Sequence, residues 1–116
     1  MPDMRNTIKK HADFLMQEND LTARSAFFLI RAKKAKFPDD ARYGLIVTKK
    51  TFKHAVDRNR AKRLLRDWIA FNEKFLRDDL DYVFIARRAI LETDRESGRT
   101  AMKKALYFLR KQEINA

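Results

Sequence analysis

Apolar residues recur at helical spacing in three parts of the chain, and each part predicts an amphipathic helix. The first helix is predicted over residues 7–17 and the second over residues 57–76. The third begins near Thr93 or Asp94, both of which are residue types that favour a helix N-cap. Its predicted buried stripe consists of Ala101, Met102, Ala105, Leu106 and Leu109.

Three short apolar runs between these helices predict β-strands, over residues 25–32, 42–48 and 82–86. Residues 33–41 contain a proline and two acids and are predicted to be a loop, so we expect the first two strands to form a hairpin. The last run is apolar throughout, which is typical of a strand covered on both faces. The predicted fold class is therefore α+β: a single-domain α-β sandwich with a mixed sheet. The element order is α-β-β-(β)-α-β-α, where the bracketed strand is optional.

The size of the chain predicts one domain over residues 1–116, with residues 1–5 and 112–116 frayed. The absence of cysteine excludes disulfide scaffolds, thiolate zinc sites and cysteine nucleophiles. Two glycines are too few for the phosphate loops of nucleotide-binding enzymes. No apolar run approaches the roughly 20 residues that span a bilayer, and the N-terminus shows no export signal. We therefore expect a soluble, cytoplasmic protein.

Positive charge changes this picture, because the formal net charge is +11 and most of it lies in one segment. Residues 49–66 contain eight Lys or Arg and one Asp. Arg58, Lys62 and Arg66 follow one another at four-residue spacing, which places like charges together on one helix face and is unfavourable unless an anion binds there. Arg60 lies at the border of this face and is expected to turn back toward the preceding loop. Arginine matches phosphate geometry, so RNA is the predicted ligand.

Other functions remain open. A basic amphipathic helix could lie on an anionic membrane, although its apolar face carries the bulky aromatic residues Trp68, Phe71 and Phe75, which are predicted to belong to the core. A metal-dependent nuclease would need the carboxylates of residues 39–40, residues 78–79 and Asp81, which are more typical of turns and caps. A non-catalytic binder of another structured RNA, such as a ribosomal-type protein, is the main alternative.

Several segments together resemble the protein subunit of bacterial ribonuclease P. The signature is GLIVTKK at residues 44–50 followed by AVDRNRAKRLLRD at residues 55–67, which contains the family's R-N-R run. Asp13-Phe14, AFFL at residues 26–29 and DYVFIAR at residues 81–87 are similar to the family's other recurring segments and occur in the same order. The resemblance covers about residues 5–111.

The resemblance implies a left-handed β-α-β crossover and an accessory subunit of a ribonucleoprotein endoribonuclease whose active site is carried by RNA. The implied partners are the ribonuclease P RNA subunit and precursor tRNA, with no membrane partner and a monomeric protein. No cofactor is expected on the protein alone, and Mg²⁺ is expected in the complex through the RNA. The implied leader-binding cleft is lined by Phe14, Phe28 and Ile30. The implied RNA-binding residues are Lys49, Lys50, Lys53, Arg58, Asn59, Arg60, Lys62, Arg63 and Arg66.

Overall fold

The computed structural model describes residues 6–8, 20–37 and 41–112. The predicted helix over residues 7–17 therefore lies almost entirely outside the described residues. Its predicted first residue is not helical, because Asn6–Thr7 form a short strand, β1. The predicted frayed ends also lie outside the described residues except at Gln112, whose carbonyl accepts a hydrogen bond from Arg77.

The described strands form a five-stranded mixed sheet in the order β1-β4-β5-β3-β2. Strand β5 lies at the centre, parallel to β4 and antiparallel to β3. The outer pairs are β1 with β4, which are parallel, and β2 with β3, which are antiparallel. The remaining strand bounds are Leu21–Arg24 for β2, Phe28–Lys34 for β3, Arg42–Ile46 for β4 and Leu80–Ala86 for β5.

The hairpin predicted between the strands over residues 25–32 and 42–48 is wrong. These segments are β3 and β4, and β5 lies between them in the sheet. Strand β5 is apolar except at Asp81 and almost wholly buried, so the central position removes most apolar surface from water. The antiparallel neighbour of β3 along the chain is instead β2, which the sequence analysis did not predict. Strand β3 also extends to Lys34, into the predicted loop.

Two helices follow the predicted positions with changed ends. Helix α1 spans Ala55–Phe71 and helix α2 spans Arg95–Arg110. Helix α1 ends early because Asn72 is buried and its Nδ2 donates to the carbonyl oxygens of Trp68 and Arg99, at 2.9 and 3.0 Å. A short 3₁₀ turn, Glu73–Phe75, replaces the last predicted turn. The order β4-α1-β5 confirms the predicted parallel crossover, and its left hand stays a prediction.

The core lies between one face of the sheet and the two helices. Phe28, Ile30 and Phe84 lie on that sheet face. Ile30 pairs with Phe84 and Phe28 pairs with Ala86 in the strand register, and all four residues belong to the core. Trp68 of α1 is fully buried against Phe28, with ring centroids 6.2 Å apart, which confirms its prediction as a core residue. In the part of the chain that the structure describes, neither helix is long and apolar enough to cross a membrane.

Candidate nucleic-acid interface

The loop before α1 has a defined backbone. The Thr48 carbonyl accepts from the Phe52 amide at 2.9 Å, and the Thr48 hydroxyl accepts from the Thr51 amide at 3.2 Å. Phe52 is fully buried and anchors the loop to the core. The three lysines of the loop remain exposed; they are Lys49, Lys50 and Lys53. Their ammonium groups therefore project from a fixed turn.

Arg58 fastens this loop to the first turns of α1. Its Nη1 donates to the carbonyl oxygens of Phe52 and Lys53, at 2.9 and 3.0 Å. Arg88 adds a third contact from beyond β5, donating to the Thr51 carbonyl at 3.2 Å. The expectation that Arg60 turns back to the loop is wrong, because Arg58 makes that contact and Arg60 is exposed.

The remaining predicted residues of α1 lie on one side of the helix, away from the core. Asn59, Arg60, Arg63 and Arg66 are exposed and Lys62 is half-buried. We call this surface, together with the loop, the cationic face; it consists of Lys49, Lys50, Lys53, Arg58, Asn59, Arg60, Lys62, Arg63 and Arg66. Within the described residues, none of its side chains forms an ion pair. The charges on this face are therefore available to an external anion.

The opposite side of α1 is apolar and largely buried, as predicted. Ala61, Leu65 and Trp68 have almost no exposed surface. Phe71 differs, because 59% of its surface is exposed. The helix ends at this residue, and the guanidinium carbon of Arg99 lies 4.1 Å from the centroid of its ring. The prediction that Phe71 is a core residue is therefore wrong.

The prediction that Phe28 and Ile30 line an open cleft is also wrong. Both side chains are fully buried. Phe28 is paired with Ala86 and Ile30 with Phe84, so both point into the layer beneath the helices. Neither presents a surface on which a base could stack. Phe14, the third predicted residue of the cleft, lies outside the described residues.

The other face of the sheet carries residues that the sequence analysis missed. Leu29 and Arg31 of β3 alternate with Phe28 and Ile30, and the register places Leu29 beside Ile85. All three of these side chains are half-buried. Arg31 Nε is buried without a hydrogen-bond partner in the described part of the chain. An arginine among apolar residues of one strand was the sequence signal that could have identified this second face.

Two of the carboxylates considered for a nuclease, Asp79 and Asp81, are held in structural contacts, whereas Asp78 is exposed. Asp81 is fully buried and accepts from the Arg42 backbone amide at 2.8 Å and from Arg42 Nη2 at 3.0 Å. Asp79 forms an ion pair with Arg77 at 2.7 Å. Residues 39–40 lie outside the described residues. Within the described ranges, no three His, Asp or Glu side chains form a group that could hold a metal ion.

A mixed sheet with a helix whose cationic face has no ion-pair partner among the described residues is typical of one class, a small protein that contacts a polyanion. The family model described as Ribonuclease P matches residues 3–110. A ribonuclease P protein component from Marinomonas sp. (strain MWYL1) is 38% identical over 104 residues, which are 88% of this chain and 77% of the relative. The chain therefore belongs to the ribonuclease P protein family, as its R-N-R segment suggested.

Solved structures agree with this assignment. The ribonuclease P protein of Staphylococcus aureus superposes with a TM-score of 0.72 at 25% identity, covering 89% of this chain and 94% of that protein. The ribonuclease P protein of Thermotoga maritima gives a TM-score of 0.74 at 23% identity and covers 90% and 97%, which supports the fold. The α+β fold class and the family resemblance are both confirmed.

Proposed function

We propose that the cationic face binds the backbone of the RNA subunit. In this way the chain acts as the protein subunit of ribonuclease P in tRNA 5′ processing. The observation that carries this proposal is the preorganised loop and helix. Arg58 fixes the loop through two carbonyls, and the exposed cations beside it have no acidic partners among the described residues. Binding then requires little reordering of the protein, which favours affinity.

The physical role of this face is to neutralise phosphate charge. Exposed arginines donate paired hydrogen bonds to phosphate oxygens, and binding releases counterions from the RNA. With about six phosphate contacts, the logarithm of the binding constant should fall with the logarithm of salt concentration with a slope of about −5. The protein would thereby reduce the repulsion between the RNA subunit and a precursor tRNA.

We assign the chemical step to the RNA subunit. Asp81 and Asp79 are engaged with Arg42 and Arg77, and no three described His, Asp or Glu side chains are grouped around an open position. These residues do not fit a magnesium ion, so the magnesium expected for the complex belongs in this proposal to the RNA. The protein contributes binding and orientation, and its cytoplasmic location stays a prediction.

The second sheet face is the better candidate for contact with the 5′ leader, in place of Phe28 and Ile30. Leu29 and Ile85 are cross-strand neighbours that offer half-exposed apolar surface, and Arg31 supplies a charge two residues further along β3. Apolar surface beside a cation is suited to unpaired nucleotides, whose bases stack while their phosphates need neutralisation. Contact with the leader, which does not react, would raise affinity for precursor over mature tRNA.

The test is an assay of the purified chain on precursor tRNA with magnesium, first alone and then with a ribonuclease P RNA. We expect cleavage only when the RNA is present, with the protein lowering the salt or magnesium needed. Cleavage by the protein alone would contradict the assignment of the chemistry to RNA. Equal affinity for precursor and mature tRNA would instead favour the alternative, a binder of other structured RNA.

A matched pair of variants tests the binding surface. Arg63→Ala removes one exposed charge from the cationic face, and Lys104→Ala removes one exposed charge from α2. We expect Arg63→Ala to weaken binding to the RNA subunit and to reduce the salt slope by about 1. Lys104→Ala should change neither quantity. Equal effects of the two variants would show that only total charge matters and would overturn the assignment of the site.

A further inference from the structure

A second surface, on the outer side of α2, combines exposed aromatic rings with cations. Along α2, four-residue spacing places Arg99, Lys103, Tyr107 and the adjoining Lys111 on one side of the helix. Two rings from the end of α1 and the 3₁₀ turn that follows lie beside this row. We call the set the aromatic–cation ridge; it consists of Phe71, Phe75, Arg99, Lys103, Tyr107 and Lys111.

Each ring of the ridge has a cation against it. Arg99 Cζ lies 4.1 Å from the centroid of Phe71. Lys103 Nζ lies 5.8 Å from the centroid of Phe75, and Lys111 Nζ lies 4.3 Å from that of Tyr107. Phe75 and Tyr107 also contact each other edge to face, with centroids 6.2 Å apart. Rings and charges therefore lie together along about 18 Å, the rise over the twelve steps from residue 99 to residue 111.

The end of the ridge that is formed by Arg99 and Phe71 is held rigidly. Arg99 donates two hydrogen bonds to Asp67, from Nε at 3.1 Å and from Nη2 at 2.9 Å. This paired contact fixes the plane of the guanidinium group over Phe71. Even so, 59% of Phe71 and 47% of Tyr107 remain exposed. Exposed rings that are grouped with cations, unlike rings exposed singly, mark a candidate interaction surface.

We propose that the aromatic–cation ridge binds unpaired RNA, with bases stacking on its rings and phosphates lying against its lysines. Flat rings and guanidinium planes stack on any base, and the neighbouring cations match the charge of a nucleic-acid backbone. The excess of positive charge favours a polyanion over an apolar protein surface. None of its residues belongs to the cationic face or the second sheet face, so the ridge adds a separate set of residues for RNA contact.

The experiment uses the full chain, a fluorescein-labelled oligouridylate as single-stranded probe and an RNA hairpin as paired probe. The variants are Phe71→Ala and Tyr107→Ala. Phe108→Ala is the matched control, because Phe108 lies on the same helix, is 53% exposed and has no ring or cation contact among the described residues. Thermal melting of each variant checks that it is folded.

We expect each ridge variant to bind the oligouridylate at least about fivefold more weakly, the lower end of what one stacked base contributes. Binding of the hairpin and all properties of Phe108→Ala should be unchanged. Photo-cross-linking with 4-thiouridine RNA should label residues 99–111 in the parent chain and lose that label in Tyr107→Ala.

Three results would overturn the proposal: no loss of oligouridylate affinity, an equal loss in Phe108→Ala, or no cross-link within residues 99–111. A change of oligomeric state in the ridge variants without a change in RNA binding would identify the ridge as a protein interface instead. Failure here is distinguishable from failure of the proposed function, because Arg63→Ala and the hairpin report on the cationic face separately.

Discussion

The indole of Trp68 lies directly against the Cα atom of Gly98, and this contact joins the two helices. A Cβ atom placed on Gly98 would lie 2.0 Å from Trp68 Cζ2 and 2.1 Å from Cε2, well inside the distance that two carbon atoms can approach. The same indole contacts Phe27 and Phe28, with ring centroids 6.1 and 6.2 Å away. Its Nε1 is buried without a hydrogen-bond partner in the described part of the chain, so packing alone holds it.

Gly98→Ala should therefore destabilise the protein, although alanine is the better helix former. The helix preference favours alanine by about 1 kcal/mol. A methyl group at this position must displace a fully buried indole, and overpacking of this kind costs roughly 1–3 kcal/mol or more. We expect a net loss of stability, measured as a lower midpoint of urea unfolding.

The control is the double variant with Trp68→Phe. Phenylalanine lacks the outer ring atoms that a Cβ on Gly98 would meet, so Gly98→Ala should cost less in that background than in the parent chain. Additive losses in the double-mutant cycle would show that the contact does not determine the spacing of the helices.

The fold was predictable where a segment's own pattern determines its structure. The apolar run of β5 indicated a strand buried on both faces, and the charge pattern of α1 separated its exposed side from its core side. The hairpin error has a different origin: β5 lies between β3 and β4, and it is more than 30 residues distant from either. Pairing between such distant segments depends on the assembled core and leaves no local signal.

The site shows the same limit. The cations of α1 could be placed because helical periodicity fixes which residues share a face. Residues 27–30 are apolar on both faces of β3, so alternation could not decide which face Phe28 occupies. The contact between Trp68 and Phe28 decides it. Likewise, the carbonyls that Arg58 binds belong to a loop whose shape the sequence does not specify.

Asp81→Asn should be strongly destabilising, because Asp81 is the buried acceptor that joins β4 to β5. The change leaves the Arg42 guanidinium buried beside a neutral amide, and loss of one partner of a buried ion pair costs about 3–5 kcal/mol. Asp79→Asn is the matched control, since Asp79 is 63% exposed and its pair with Arg77 is worth about 1 kcal/mol or less. Chemical denaturation measures both. Equal losses would contradict a structural role specific to Asp81.

Asp94 should make the stability of α2 depend on acid pH. Its side chain accepts from the Ser97 amide at 2.6 Å, and hydrogen bonding to Ser97 lowers the pKa of Asp94 below its ordinary value of 3.8. The carboxylate form therefore favours the folded state above pH 3.8, and this contribution is lost as pH falls through the lowered pKa. We expect Asp94→Ala to lower Tm at pH 7. The difference in Tm from the parent should become smaller once the pH falls below the lowered pKa of Asp94.

Asp94→Asn separates the cap from the charge. Asparagine also caps helices but does not titrate, so this variant should keep most of the stability at pH 7 and lose the acid-dependent part. The measurement is Tm against pH for the three proteins. A constant difference between the parent and Asp94→Ala from pH 7 to pH 2 would show that the carboxylate does not act as described.

Arg58 and Arg63 should respond differently to replacement by lysine, although both substitutions conserve charge. Arg58 Nη1 donates to two carbonyl oxygens at once from a planar guanidinium group, and the flexible stem of lysine does not hold an ammonium nitrogen at the same position. Arg58→Lys should loosen the loop and weaken binding to the RNA subunit roughly threefold to tenfold, corresponding to about 1 kcal/mol. Its salt slope should stay unchanged, because the number of charges is the same.

Arg63 provides the matched control. It is exposed and contacts no described acid, so Arg63→Lys should bind nearly as the parent does, while Arg63→Ala loses about one unit of slope. Filter binding across a salt series distinguishes these outcomes, and equal losses for the two lysine variants would mean that Arg58 acts only as a charge.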